Sequence, residues 1–303
     1  MIWTGRGLAL IAVLFWGASF IWAKQVMEWL PPFAASGTRY GVAAMLLLLV
    51  AARYGNPFRI LPGHWLGYLL LGILGITVFQ CVLFSGLRLT SAVSGSVIMA
   101  LTPALTALGA TTFLGERLSG RAMIGMVVSI LGALLAVLGD NPRGIAGLSL
   151  DWGEPLVLVA ALCFAFYTVA SRRLMRHDVP ALINTAVVVT IGAVFLLPVA
   201  IPAIPAALPR TATPLVALAC LVLGSTVIGY LAWNRAIQLI GVGQPNMIFN
   251  FMPVMTMLVV TLLGEPPWPE QVIGAALVIA GISFSMLPAE TLHRHAPGVQ
   301  PVH

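Results

Sequence analysis

Ten apolar runs, each about long enough to cross a bilayer, recur along the 303 residues of this chain. A spanning helix needs roughly 20 mostly apolar residues, so ten of them use about 200 and leave about 100 for loops and ends. No room remains for a soluble catalytic or nucleic-acid-binding domain. The runs lie at about 7–28, 33–52, 64–87, 91–114, 120–138, 153–173, 180–200, 213–237, 243–263 and 269–287. Breakers stand between them at Pro31-Pro32, Gly55-Asn56-Pro57, Asn141-Pro142-Arg143-Gly144, Pro205 and Pro209, and Pro266-Pro267. The composition agrees: 60% of residues are hydrophobic and 8% charged, against about 25% charged in soluble domains. The first run follows Arg6 like a signal peptide, but nine more follow it and Lys24-Gln25 is a poor cleavage flank, so it reads as the first span. Cys81, Cys163 and Cys220 each sit alone in an apolar run, which points to neither a disulfide nor a metal site.

The few charges set an orientation, because cytoplasmic loops carry an excess of Lys and Arg. With the N-terminus inside, Arg6, Arg53, Arg59, Arg117, Arg121, Arg172, Arg173, Arg176, Arg235 and Arg294 are cytoplasmic. Lys24, Arg88, Arg143 and Arg210 fall outside, and Arg39 lies within a span. Both termini are therefore expected in the cytoplasm. The net charge of +6 reads as topology, not as a nucleic-acid surface.

The longest loop, around residues 139–152, separates two groups of five runs that resemble each other. Leu87, Leu89 and Pro103 match Ile237, Leu239 and Pro253 at a constant offset of 150. After a one-residue loss, Gly115-Glu116, Gly125 and Gly132 match Gly264-Glu265, Gly274 and Gly281 at an offset of 149. More weakly, Trp16 to Phe20 align with Phe164 to Thr168, and Pro32 with Pro180, at 148. An odd number of spans per copy makes the second copy enter the membrane upside down. The expected fold is thus an all-α membrane protein of ten transmembrane helices, arranged as two inverted five-helix repeats over residues 1–142 and 143–303, the second ending in a short cytoplasmic tail. Inverted repeats are an architecture of secondary transporters, which bind near the midplane between halves.

The first-span Phe15-Trp16-Gly17-Ala18-Ser19-Phe20, the second-span Arg39-Tyr40, and Pro103 with Gly115-Glu116 repeated as Pro253 with Gly264-Glu265 carry a resemblance to a known family. From about Gly7 to Leu287 the chain resembles the ten-span EamA branch of the drug/metabolite transporter superfamily, and more narrowly it is similar to the bacterial aromatic amino-acid exporters of that branch. The resemblance implies a multi-pass carrier of the bacterial inner membrane with both termini cytoplasmic, exporting amino acids or related small metabolites and using no cofactor.

Polar groups in lipid are costly and usually face protein or a water-filled cavity, so spans with polar or aromatic stripes are the candidate pocket walls. In the ninth run Asn246, Phe249, Asn250, Pro253 and Met257 recur at three- and four-residue steps. The amides there either glue helices together or line a cavity, and Pro253 frees a backbone carbonyl. Its repeat mate carries Ser91, Ser94, Met99, Thr102 and Pro103. Tyr230, Trp233 and Asn234 share a face of the eighth run, opposite Gln80, Leu83 and Phe84 of the third. Tyr230 and Trp233 can also be interfacial anchors, and Asn234 can simply cap its helix. The first and sixth runs add Trp16, Ser19 and Trp22 against Phe164, Tyr167 and Thr168. The candidate substrate-binding set is Trp16, Ser19, Gln80, Phe84, Met99, Phe164, Tyr167, Tyr230, Trp233, Asn246, Phe249 and Asn250. Aromatic faces with a few amides and hydroxyls suit a zwitterionic amino acid, since rings pack apolar groups and attract an ammonium.

None of the nine acids falls mid-span, and the five histidines are peripheral. Proton relays in carriers use buried Asp, Glu or His, so facilitated or exchange transport is expected. Arg39, the one cation inside a span, can bind a substrate carboxylate or serve structure by snorkelling or satisfying carbonyls of the first span; the structural role is preferred. Glu116 and Glu265 read as structural anions at helix starts. Gly125 with Gly132 and Gly274 with Gly281, each pair seven apart, mark the fifth and tenth spans as close-packed scaffold. An intramembrane enzyme would need a metal cluster, an aspartyl pair or a Ser with His at mid-span, and none is present, so no catalytic residue is assigned. A lipid or lipid-linked-sugar flippase, or an exporter of another metabolite or drug class, is the alternative. The expected partners are a small-molecule substrate and the lipid bilayer.

Overall fold

The structure is a computed structural model that describes residues 2–114, 120–139 and 152–285. Gly115-Glu116 with Arg117, residues 140–151 with the expected repeat boundary and Arg143, and Glu290 and Arg294 lie outside the described residues. The described residues are helical with no strand, as a chain without water to satisfy its backbone requires. Among the described residues, eight helices are long and apolar enough to cross a membrane: Ile2–Met27, Pro32–Tyr54, Trp65–Leu89, Ala92–Gly109, Gly153–Leu174, Ala181–Ala203, Thr213–Ile240 and Gly243–Leu262. Two shorter apolar stretches, Met123–Ala136 and Pro269–Gly281, fall where the fifth and tenth runs were read.

The helices are α1 (Ile2–Met27), α2 (Pro32–Ala51), α3 (Trp65–Gly72), α4 (Phe79–Leu89), α5 (Ala92–Met99), α6 (Thr102–Leu114), α7 (Gly120–Gly139), α8 (Gly153–Leu174), α9 (Ala181–Ala200), α10 (Thr213–Cys220), α11 (Gly229–Ile240), α12 (Gly243–Phe249), α13 (Met252–Leu262) and α14 (Pro269–Ser285). Local chemistry sets several ends. Pro32 opens α2 at the first helical turn, where its missing N–H costs nothing. The Ser91 hydroxyl caps α5 by accepting from the Ser94 N–H at 3.0 Å. Gly241 ends α11 at φ 72°, a backbone state that glycine adopts without strain.

Four of the apolar runs depart from continuous α-helix. Wide π turns at Ile73–Val78 and Leu221–Ile228 join α3 to α4 and α10 to α11. The fourth and ninth runs break at Ala100-Leu101 and Asn250-Phe251. Each break precedes a proline at the second position of the next helix, Pro103 or Pro253, whose ring lacks the N–H that would continue the ladder. The Thr102 hydroxyl donates to the Met99 carbonyl at 2.6 Å.

Packing pairs distant segments. α1 lies along α11 and α4 along α8; α2 lies along α9 and α7 along α14. Along the α7–α14 contact the backbones come close: a Cβ on Gly132 would lie 2.6 Å from the Gly274 carbonyl oxygen, and one on Gly281 2.5 Å from that of Gly125. The Ser129 hydroxyl donates to the Gly125 carbonyl at 2.8 Å and to that of Val278 at 3.3 Å. Large apolar side chains such as Met45, Leu49, Val194, Val199, Leu223 and Ile273 point outward, while Gln80, Asn184, Asn234, Asn246 and Asn250 are buried. Apolar surface outside and polar groups inside is the distribution a bilayer selects.

Candidate functional site

The bundle centre is built around Trp16 of α1. Its ring lies 5.3 Å from Phe164 and 5.6 Å from Tyr230, both edge-on, 5.1 Å from Trp233 and 6.0 Å from Phe249. These partners come from α8, α11 and α12, so one indole ties four helices together. Its N–H donates to the Ser225 carbonyl at 2.9 Å, a group inside the second π turn. Phe79 extends the cluster, 5.4 Å from Phe164, and Tyr40 joins through Tyr230 at 6.2 Å. Edge-on and offset rings in this range attract beyond their buried area, by about 0.5–1.5 kcal/mol per pair.

A cavity of about 40 Å³ lies against this cluster, lined by Trp16, Ser19, Phe20, Arg39, Phe79, Gln80, Leu83, Met99, Phe164, Ser225, Tyr230, Phe249 and Met252. It holds room for a few water molecules, far below the roughly 300–1,000 Å³ of small-molecule sites. A solute of amino-acid size does not fit the cavity as it stands.

Of the twelve candidate residues, Trp16, Ser19, Gln80, Met99, Phe164, Tyr230 and Phe249 line the cavity. Trp233 and Tyr167 stand behind it, within the ring cluster. Phe84 is buried beside the Arg39 guanidinium, 6.0 Å from ring centroid to Cζ, and not on the cavity wall. Asn246 and Asn250 are buried but off that wall. The Asn246 Oδ1, both amide atoms of Asn250, both of Gln80 and the Trp233 Nε1 have no hydrogen-bond partner. Buried polar groups without a protein partner are rare in folded proteins. Ser19 spends its hydroxyl on the Trp16 carbonyl at 2.7 Å.

Two readings from the sequence are corrected. Asn234 does not cap its helix: it lies inside α11, accepts from the Tyr167 phenol at 3.1 Å and donates to the Thr185 hydroxyl at 2.8 Å. Arg39 does not serve carbonyls of the first span: it is 4% exposed and its Nε donates to the Thr226 hydroxyl at 2.6 Å, its Nη2 to that of Ser225 at 2.7 Å.

Phe20, Phe79, Leu83, Ser225 and Met252 line the cavity as well and were not among the twelve. Ser225 and Tyr230 are five residues apart, a spacing that an α-helix does not place on one face; the π turn between them, with i→i+5 bonding, does. Phe79 was detectable as the aromatic neighbour of Gln80.

Toward the end of the bundle that carries Arg172, Arg176 and Arg235, buried hydrogen bonds join the helices in two layers. The first is Tyr167, Asn234 and Thr185. In the second, the Tyr68 phenol donates to Asn184 and accepts from the Arg176 N–H at 3.1 Å, and the Asn184 amide donates to the Arg176 carbonyl at 2.8 Å. Beside it, the Arg176 guanidinium on Asp178 holds that exposed carboxyl below its usual range. At the opposite end a crevice of about 480 Å³ is lined by Lys24, Gln25, Glu28, Ser91, Trp268 and Gln271 among others.

Broken helices, wide turns and an aromatic cavity at mid-bundle define the class of protein, a multi-pass membrane transporter. The chain belongs to the EamA-like transporter family, whose model matches residues 3–138 and again 151–287. It is 33% identical over 278 residues to the "Uncharacterized transporter YyaM" of Bacillus subtilis, covering 89% of each chain. It is 29% identical to the "Probable terminal-alkyne amino-acid exporter" of Streptantibioticus cattleyicolor, over 90% of each. With the "Probable amino-acid metabolite efflux pump" of Escherichia coli it shares 25% identity over 92% of this chain and 93% of the other. A crystal structure at 20% identity has the same fold, with TM-score 0.71 over 94% of this chain and 97% of that one.

Proposed function

We propose that this chain exports amino acids, aromatic ones among them, and related small metabolites across the bacterial inner membrane by alternating access. The carrier consists of ten spans in two inverted five-helix repeats with both termini cytoplasmic. The observation that carries the reading is the ring cluster on Trp16, which meets rings from α8, α11 and α12 beside a cavity in the bundle interior. Rings of this kind pack an apolar side chain and attract an ammonium.

Several features support the inverted repeat. The π turns at Ile73–Val78 and Leu221–Ile228 are offset like the sequence repeats, and the breaks at Ala100-Leu101 and Asn250-Phe251 differ by 150. The pairing of α1 with α11 is echoed by that of α8 with α4. Discontinuous helices at the junction of two inverted halves are how many carriers build a midplane site. The names of the Streptantibioticus and Escherichia relatives point to amino-acid substrates.

The transport step is facilitated or an exchange. Glu28, Glu154, Asp178, Glu265 and Glu270 stand at helix ends or in loops, away from the cavity wall. Purified protein in proteoliposomes, offered a panel of radiolabelled amino acids with and without ion gradients, tests the whole reading. Uptake of aromatic amino acids is expected without an imposed gradient of any ion. Movement of lipids or nucleotides with no amino acid moved would overturn it.

A further inference from the structure

We infer that Arg39 is the receptor for a carboxylate on the transported solute, with Gln80 as the amide that completes the polar end of the same cavity. This rests on the function proposed above and narrows it to carboxylate-bearing solutes.

Arg39 brings into the bundle a charge that it cannot discard. A guanidinium stays protonated inside proteins, so Arg39 carries its charge into the bundle interior at 4% exposure. Buried charges are paired or pay heavily for desolvation. No carboxylate of the described residues reaches Arg39; its hydrogen bonds go to two neutral hydroxyls, on Ser225 and Thr226. The ring faces of Tyr40 at 5.1 Å and Phe84 at 6.0 Å lie beside it. Of five N–H donors the hydroxyls engage two, and the side chain lines the cavity.

The hydroxyls hold the guanidinium in place. Thr226 donates its own proton to the Leu221 carbonyl at 3.0 Å, which leaves its lone pairs for Arg39. Ser225 is fixed from its other side, where its carbonyl accepts from Trp16. The π turn thus presents two acceptors to Arg39 and one to the hub of the ring cluster.

Gln80 is the independent observation. It is fully buried, lines the same cavity, and neither its Nε2 nor its Oε1 has a partner. An amide can donate to a carboxylate oxygen and accept from an ammonium. A cavity with an unneutralised guanidinium, an unpartnered amide and a wall of rings is complementary to a carboxylate on an apolar or aromatic body. The carboxylate, not the ammonium, is the required group, because the charge needing a partner is positive.

The test uses wild-type protein and three probes that share a phenyl ring. Radiolabelled L-phenylalanine exchange into proteoliposomes is competed with 3-phenylpropionate, which keeps the carboxylate alone, and with 2-phenylethylamine, which keeps the ammonium alone. Phenylpropionate is expected to compete within about tenfold of unlabelled phenylalanine, and phenylethylamine at least a hundredfold more weakly. Phenylethylamine competing within tenfold of phenylalanine, or phenylpropionate failing to compete, overturns the inference and leaves the exporter reading standing. Direct binding of labelled phenylpropionate to purified protein adds a readout without transport: it is expected for wild type and lost at least tenfold in a monodisperse Arg39→Gln variant. Unchanged binding in that variant also overturns the inference. If no amino acid moves but phenylpropionate binds through Arg39, the exporter reading fails and the carboxylate site stands. If neither probe binds nor moves, both fail.

Discussion

The phenol of Tyr167 donates a 3.1 Å hydrogen bond to the Oδ1 of Asn234, whose amide passes a second bond of 2.8 Å to Thr185. One buried amide so joins α8, α9 and α11 on the arginine-rich side of the cavity. Replacing Tyr167 by Phe leaves an acceptor of Asn234 buried and unpaired, which costs about 1–3 kcal/mol. The loss is expected as a lower unfolding midpoint in detergent. In a double-mutant cycle, Tyr167→Phe and Asn234→Ala should couple by about 0.5–3 kcal/mol. Additive effects would show that the two side chains act separately.

Trp16 separates two roles of one side chain. Trp16→Phe keeps a ring against Phe164 and Tyr230 but drops the bond to the Ser225 carbonyl, and it should retain part of the transport rate. Trp16→Ala removes the centre of the cluster, a truncation worth about 3–5 kcal/mol in a packed core, and should abolish transport. Equal activity of the two variants in proteoliposomes would show that the ring itself is dispensable.

The α7–α14 seam is sensitive to single atoms. Gly274→Val would press a side chain onto the Gly132 carbonyl, which a Cβ on Gly274 already approaches to 2.5 Å. Overpacking of this kind costs about 1–3 kcal/mol or more, so loss of monodisperse protein on size-exclusion chromatography is expected. Gly7→Ala is the control, since a Cβ there meets nothing within 4 Å. Normal behaviour of Gly274→Val would place the seam elsewhere.

Coupling to protons has no buried acid to use among the described residues. Uptake of phenylalanine into proteoliposomes is expected at the same initial rate with and without a protonophore. Accumulation above the external concentration, driven by an imposed pH gradient, would require a proton site that facilitated or exchange transport does without.

Eight of the expected ten spans and the glycine spacing that marks α7 and α14 as scaffold were legible, because runs of apolar residues and small-residue spacing are local signals; that α7 packs on α14 was not. The side chains at the cavity were legible where a helical step or the internal repeat carried them. Phe249 was found by its stripe and Met99 through the repeat that matches its span to the ninth; each ends the first half of a broken span. Ser225 was hidden by a π turn that sequence periodicity does not reveal. Arg39 was visible, but its partners sit 186 and 187 residues away, and no local pattern ranks hydroxyls at that distance above nearby carbonyls. The amides of Asn246 and Asn250 shared a stripe with Phe249, yet of the three only Phe249 lines the cavity.

The proximity of Trp16 and Trp233, 5.1 Å apart and tilted by 55°, has an optical consequence. Two indoles this close and this oblique share their excited states, so the pair rotates near-ultraviolet light differently from isolated tryptophans. A solute that pushes the rings apart breaks that coupling. The chain has eight tryptophans, but this pair gives it a built-in reporter of whether its interior is occupied, readable by circular dichroism with no label attached.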